Sequence, residues 1–275
     1  MSARPHAARK RFGQHFLEPA WARKVVDAIS PAPDDTFLEI GPGRGAITRA
    51  LAARAKHVVA IELDRDLAAS LSAEHLGGLR VVQGDFLTID LASLALPPAT
   101  RIAGNLPYNV STPILSRLVD LTLANAGFRD ATLMLQKEVA ERVAAGPGSK
   151  DYGPLAILVA LVARVTRQLV LPPGAFRPAP EVRSAVVHFE FLAPSERPQV
   201  PATFLPLVRG IFTLRRKMLS NALQPVLATS EWTAGALLEA TGLDGTRRAE
   251  TLEIEELLDL ARRLSNPPGA TPREA

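Results

Sequence analysis

Phe37-Leu38-Glu39-Ile40-Gly41-Pro42-Gly43-Arg44-Gly45-Ala46-Ile47-Thr48 decides the fold. An apolar run enters a glycine-rich turn, and a helical pattern leaves it. Glycines let a backbone approach a ligand closely, and the helix that follows offers unpaired N–H groups at its start. The spacing, G-x-G-x-G from Gly41 through Gly43 to Gly45, departs from the G-x-G-x-x-G of a dinucleotide site. Outward from this turn the same grammar repeats. A second apolar strand, His57 to Ile61, ends at Glu62 and Leu63. An acid there can grip both hydroxyls of a ribose. A third, Leu79 to Gln83, ends at Gly84-Asp85-Phe86, where the acid can accept from an adenine amino group and the ring can cover it. A short run from Thr100 to Ala103 ends at Asn105-Leu106-Pro107-Tyr108, before a helix that opens near Ser111 and Pro113.

Asn105 to Tyr108 can hold a planar amino group. The Asn side-chain oxygen can accept one N–H, a backbone carbonyl at Leu106 or Pro107 can accept another, and the Tyr ring can stack on a flat heterocycle. Taken alone, an Asn-x-Pro turn capping the next helix would look the same, and a lone acid after a strand is commonly a helix cap. Four such features in order, each at the carboxyl end of a successive strand, mark the ligand-binding edge of an open α/β sheet. A nicotinamide dehydrogenase accounts for the first two features. It leaves Asn105 to Tyr108 unexplained, and no Tyr-x-x-x-Lys pair stands out.

The rest of the chain sets bounds. Its 275 residues suffice for one full α/β domain and a small second one, and 47% of them are hydrophobic. Alternating strands and helices run to about Phe191, with a helix over Pro19 to Ile29, a late strand over Val165 to Leu171 and a last one over Ser184 to Phe191. The expected domains are residues 1–192, carrying the sheet, and 202–275, which are helical, joined by the Pro-rich stretch Ala193 to Pro201. In the second domain Ile254, Leu257, Leu258, Ala261 and Leu264 share one helix face. The chain has no cysteine, and its five His show no metal-ligand spacing, so no metal is expected. No apolar run is long enough to span a membrane, and the N-terminus lacks the apolar core of a signal peptide. A cytoplasmic protein is the expectation.

The formal net charge is only +4, but positive charge is clustered. Arg4, Arg9, Lys10 and Arg11 precede the first acid, Glu18, and Arg209, Arg215, Arg216 and Lys217 form a second group without an intervening acid. Clusters of this kind favour phosphate contact.

With these motifs in place, the chain resembles the ribosomal RNA adenine N6-dimethyltransferases, and within them the bacterial small-subunit enzymes. The resemblance covers nearly the whole sequence. It is carried by Arg9 to Leu17, Glu39 to Gly45, Ile61 to Asp64, Gly84-Asp85, Asn105 to Tyr108, Leu135 to Val139, Ser149 to Gly153, Ala175 to Pro178 and Phe212 to Leu223. Position 15 is His where some members carry Asn, and Arg183 stands where an acid would be expected. The resemblance implies a Rossmann-like class I methyltransferase sheet with an antiparallel last strand and a small all-helical C-terminal domain that binds RNA. It implies S-adenosylmethionine as cofactor. The implied reaction is N6,N6-dimethylation of two adjacent adenosines in a hairpin near the 3′ end of 16S rRNA, by a monomer acting on a pre-30S particle.

Implied cofactor contacts are Gln14, His15, Leu17, Gly41, Gly43, Glu62, Leu63, Asp85, Phe86 and Asn105. Asn105, Leu106, Pro107 and Tyr108 would hold the target adenine, with Phe176 closing its other face. Lys10, Arg11 and the helix around Arg215, Arg216 and Lys217 would meet RNA. No general base is assigned, because positioning and the sulfonium leaving group suffice. On electrostatic grounds Asn105→Asp is expected to keep partial activity. Two other readings remain. One is the large-subunit rRNA adenine methyltransferase of macrolide resistance, which tends to carry Ile in place of Leu106. The other is a non-catalytic RNA-binding assembly factor on the same fold.

Overall fold

The structure, a computed structural model, describes residues 15–266. Lys10, Arg11 and Gln14 lie outside the described residues. The chain divides into two compact units. The first runs up to Ala144 and resumes over Val162–Ser195; the second comprises Ala145–Leu161 and the residues from Glu196 onward. The helical unit is therefore not the C-terminal block alone that the sequence suggests, because it takes in a segment from the middle of the chain.

The first unit is built on β2 (Thr36–Ile40), β3 (His57–Glu62), β4 (Leu79–Gln83), β5 (Thr100–Asn105), β6 (Phe128–Gln136), β7 (Ala163–Leu171) and β9 (Ser184–Phe191). They form one sheet in the order β4-β3-β2-β5-β6-β9-β7. Pairs from β4 to β6 are parallel, whereas β9 runs antiparallel to both β6 and β7, as the resemblance implied. The inner strands are apolar through most of their length: Phe37, Leu38, Val58, Ala60, Ile102, Ala103 and Leu133 are all fully buried. Parallel strands covered by helices on both faces need this composition. The helix α1 (Pro19–Ile29) shows the contrasting period, with Ala22, Val25, Val26 and Ile29 buried along one stripe. Proline at its first turn costs no hydrogen bond.

Chain order reverses between β2 and β5, which lie side by side, so this is the switch point of the sheet. Their approach is close. A Cβ on Gly104 would stand 2.7 Å from the Ile40 carbonyl oxygen. Glycine there lets the two strand tips lie together at the edge where ligands bind.

At the opposite, amino-terminal edge a charged cluster is buried. The Arg101 guanidinium donates to both oxygens of Asp130 (3.0 Å each), to Asp35 Oδ2 (2.7 Å), and to the carbonyls of Ile29 (2.8 Å) and Ser30 (3.0 Å). Arg129 adds an ion pair to Asp35 at 3.1 Å.

The second unit holds α6 (Pro154–Ala160), α7 (Phe204–Thr213), α8 (Leu219–Ala222), α9 (Ala234–Thr241) and α10 (Ile254–Leu264). Tyr152, buried, donates its hydroxyl to the Leu252 carbonyl at 3.0 Å and meets Phe212 edge to face. Reciprocal side-chain bonds between Glu253 and Glu256 open α10. Its expected apolar stripe is present, with Leu257, Leu258 and Ala261 buried. No described helix is long and apolar enough to cross a membrane.

Candidate active site

A cavity of about 760 Å³ opens at the carboxyl edge of the sheet, over the switch point. That volume suits a nucleoside-sized ligand. Its walls include Gly41 and Gly43, Glu62 and Leu63, Asp85 and Phe86, and Asn105 to Tyr108, which are the four strand ends singled out from the sequence. His15 and Leu17 line it as well.

The glycine turn follows directly from β2. Gly41 has φ +68°, its N–H bonds the Ile61 carbonyl at 2.9 Å, and a side chain on it would point into open space. Glu62, at the tip of β3, is buried. Its Oε2 accepts from Gly43 N–H and its Oε1 from Asp64 N–H, both at 2.9 Å. Those bonds aim the carboxylate, and each oxygen keeps a second lone pair. Burial raises its pKa, against the pull of the two N–H donors.

Glu39 lies one strand over. It is 1% exposed, lines the cavity, and its Oε2 has no hydrogen-bond partner. Burial pushes its pKa up to about 8, with the Glu62 carboxylate acting in the same direction. A carboxyl with that pKa stands mostly protonated near neutral pH, although Arg49, which lines the same cavity, pulls it the other way. Glu39 belongs to the sequence motif, and its place at the cavity wall emerges only in the structure. The signal that could have shown it is a carboxylate inside an otherwise apolar central strand.

After β4, Asp85 Oδ1 accepts from Leu87 N–H at 2.8 Å, which fixes the carboxylate on a tight turn. Phe86 is 4% exposed and packs under the Arg117 guanidinium, 5.3 Å from the ring centroid. Leu63 is the exposed apolar side chain of this wall, at 49%.

Asn105 ends β5, and its Nδ2 donates to the His15 carbonyl at 3.0 Å. Because a carbonyl only accepts, this bond commits the amide nitrogen and leaves Oδ1 as the acceptor for a ligand. The Pro107 carbonyl is already taken by Val110 N–H at 3.1 Å. Of the two backbone carbonyls the sequence offered, Pro107 thus keeps one lone pair, while Leu106 accepts no described backbone bond. Tyr108 pairs its hydroxyl with Ser184 Oγ, and its ring stacks on His15, centroids 5.4 Å apart. His15 in turn bonds the Pro178 carbonyl through Nδ1 at 2.8 Å. This follows from a feature the sequence did not reveal. Phe16–Leu17 forms a two-residue strand, β1, paired antiparallel with β8 (Phe176–Arg177), and a Glu18–Arg177 ion pair at 2.9 Å flanks it.

Two expectations need correction. Phe176 does not reach the cavity. Its ring is 2% exposed and belongs to the core cluster with Leu17, Val26 and Leu171, while its neighbour Arg177 lines the cavity. Alternation along a strand explains this, since successive side chains point to opposite faces. The second concerns Arg215, Arg216 and Lys217. They occupy the turn between α7 and α8, not a helix. Arg215 is not free: it pairs with Glu250 at 2.5 Å and donates to the Ser149 carbonyl at 3.2 Å. Arg216 and Lys217 are exposed.

A sheet of seven strands with one reversed strand, a glycine turn and an acidic wall at its switch point define a class I methyltransferase. Comparison with known proteins narrows the class. The family model described as ribosomal RNA adenine dimethylase matches residues 5–265. The ribosomal RNA small subunit methyltransferase A of Methylibium petroleiphilum is 45% identical, over 94% of this chain and 98% of that one. The protein of the same name from Aromatoleum aromaticum is 43% identical, over 91% and 92%. Among solved structures, a dimethyladenosine transferase from Plasmodium falciparum superposes with a TM-score of 0.74 at 26% identity, over 90% of this chain and 96% of that one. The chain belongs to the ribosomal RNA adenine dimethylase family.

Proposed function

We propose that the protein acts as a cytoplasmic monomer on a pre-30S particle. There it dimethylates the N6 nitrogens of two adjacent adenosines in a hairpin near the 3′ end of 16S rRNA, with S-adenosylmethionine as donor. The observation that carries this reading is Asn105, locked by its own amide to the His15 carbonyl, beside the Leu106 carbonyl, in one cavity with the glycine turn and Glu62. The small-subunit names of the relatives favour 16S over large-subunit RNA.

The residues fit the cofactor. Gly41 and Gly43 would give close backbone approach, Glu62 would receive the ribose hydroxyls, and Asp85 would accept from the adenine amino group, with Leu63 and Phe86 beside the ring. His15 and Leu17 would cover the methionine end. When bound, the cofactor supplies a methyl group already activated by its sulfonium.

The chain's own task is position. Adenine N6 is a poor nucleophile because its lone pair is delocalised into the ring. In the first transfer Asn105 Oδ1 and the Leu106 carbonyl accept the two N6 hydrogens, turn the lone pair out of conjugation, and stabilise the positive charge that develops. One proton then leaves to water, and in the second transfer a single N–H remains to be held before it too is released. Tyr108 carries the flipped base on its ring. Lys10, Arg11, Arg216 and Lys217 hold phosphates, whereas Arg215 holds its own loop. Arg216→Ala with Lys217→Ala should lower the salt slope of RNA binding by about two, one per lost phosphate contact.

The test is to map dimethylated adenines by primer extension after incubation with precursor particles of each subunit. Two adjacent stops near the 3′ end of 16S rRNA are expected. Stops in large-subunit RNA, or none in either, would overturn the reading.

A further inference from the structure

The turn after β4 that carries Asp85 and Phe86 is held by a residue of another element. Arg117 lies on α4 (Ser111–Leu123), the helix that opens after Asn105 to Tyr108. Its guanidinium donates through Nη1 to the Phe86 carbonyl and through Nη2 to the Ile89 carbonyl, the latter at 2.5 Å, and it covers the Phe86 ring. Within the turn, Thr88 and Ile89 N–H groups bond the Asp85 carbonyl at 3.0 and 2.9 Å, and Leu87 N–H bonds its side chain. Those bonds shape the turn locally. Only Arg117 ties its far carbonyls to the rest of the unit among the described hydrogen bonds. A planar fork of fixed donors matches two carbonyls at set positions, whereas a lysine offers rotatable donors around a single point charge.

We propose that Arg117 is a positioning residue for the cofactor: its bidentate grip on the Phe86 and Ile89 carbonyls sets the place of Asp85 and thereby the recognition of the cofactor's adenine. This rests on the assignment of Asp85 and Phe86 to the adenine. Because α4 starts at the acceptor turn, one rigid helix spaces the cofactor's base from the target base.

The experiment is calorimetric titration of the full chain with S-adenosylhomocysteine and with its hypoxanthine counterpart, in which the adenine amino group is replaced by an oxygen. Arg117→Met should weaken binding of the adenine form by about 10-fold, and narrow the preference for adenine over hypoxanthine. Arg117→Lys, which keeps the charge and loses the fork, should behave as Met does. In an Asp85→Ala background, Arg117→Met should add no further loss of affinity. Methyl transfer at saturating cofactor should stay within about twofold of wild type, because the acceptor turn is untouched. A variant with a lowered melting temperature but unchanged adenine preference would overturn the proposal, as would full rescue by Lys. If Asp85→Ala itself leaves affinity unchanged, the adenine assignment is what fails. If Asp85→Ala weakens binding and Arg117→Met does not, only the role of Arg117 fails.

Discussion

The two edges of the central sheet bury charge in opposite ways. At the amino-terminal edge every donor nitrogen of Arg101 has an acceptor within 3.0 Å, among two carboxylates and two carbonyls. Burial works against the Asp35 charge, yet the Ala32 N–H and the Arg101 guanidinium more than offset it, and its pKa falls below the usual carboxylate value. At the carboxyl-terminal edge Glu39 is just as buried and one of its oxygens has no partner, so its pKa rises. A buried charge with all its partners holds a fold together, while one left short of partners is costly unless a ligand completes it. The contrast places stability at one edge and binding at the other.

The largest effect is expected from Arg101→Ala. Removing the cation strands Asp130, Asp35 and two carbonyls, which should cost about 3–5 kcal/mol in unfolding free energy. Cofactor affinity of the folded fraction should not change. Denaturant melts with calorimetry on the same samples would check this, and a parallel loss of affinity would erase the division between the edges.

Asn105→Ala should leave the melt intact and lower methyl transfer by about 10²-fold or more, the scale for one preorganised polar group acting on the transition state. The structure reverses the expectation for Asn105→Asp. A carboxylate would face the His15 carbonyl, acceptor against acceptor, where the amide now donates. Asp should therefore be as inactive as Ala in single-turnover assays, and substantial activity in Asp would mean that the bond to His15 does not orient the side chain.

Glu62→Ala should weaken cofactor binding by roughly 1.5–3 kcal/mol, the scale of charge-assisted hydrogen bonds. Unchanged affinity in calorimetry would remove Glu62 from the site.

A pH-dependent effect concerns Glu39 in the absence of cofactor. In the unfolded chain Glu39 titrates near its ordinary 4.5, and in the fold near 8. Below the lower value both states are protonated and burial carries no ionic cost. Between the two, the unfolded state releases its proton first, so stability falls as pH rises through that window. Glu39→Gln should remove this slope, raising the melting temperature at pH 8 by roughly 10 °C, the scale of about 4 kcal/mol in a chain of this size, with little change near pH 4.5. Equal melting temperatures at both pH values would mean that the carboxyl is already compensated.

What the sequence made legible was local. Each wall of the cavity is a strand followed within two residues by glycine, acid or amide, so reading strands and their ends was enough to find Gly41, Glu62, Asp85 and Asn105. What it hid was pairing at a distance. Two-residue strands such as Phe16–Leu17 and Phe176–Arg177 carry no periodicity, and nothing nearby says that they meet. Without that pairing the inward turn of Phe176 could not be foreseen. Arg215 looked like a surface cation because its acid, Glu250, lies 35 residues further on. Arg117 sits mid-helix like any solvated arginine, and its role depends on a turn that precedes it by 28 residues or more.

The split of the helical unit bears on how this chain can be cut and rejoined. Because Ala145–Leu161 groups with the residues after Glu196, the unit is discontinuous in the gene. A clone ending at the Pro-rich stretch would keep Tyr152, Ala156 and Ile157 but discard the Leu252 carbonyl and the helices that cover them. The remnant would present a sticky apolar face. A chimera that trades helical units between relatives has to exchange two stretches together, and a crossover placed only at residues 193–201 would join halves of two different cores.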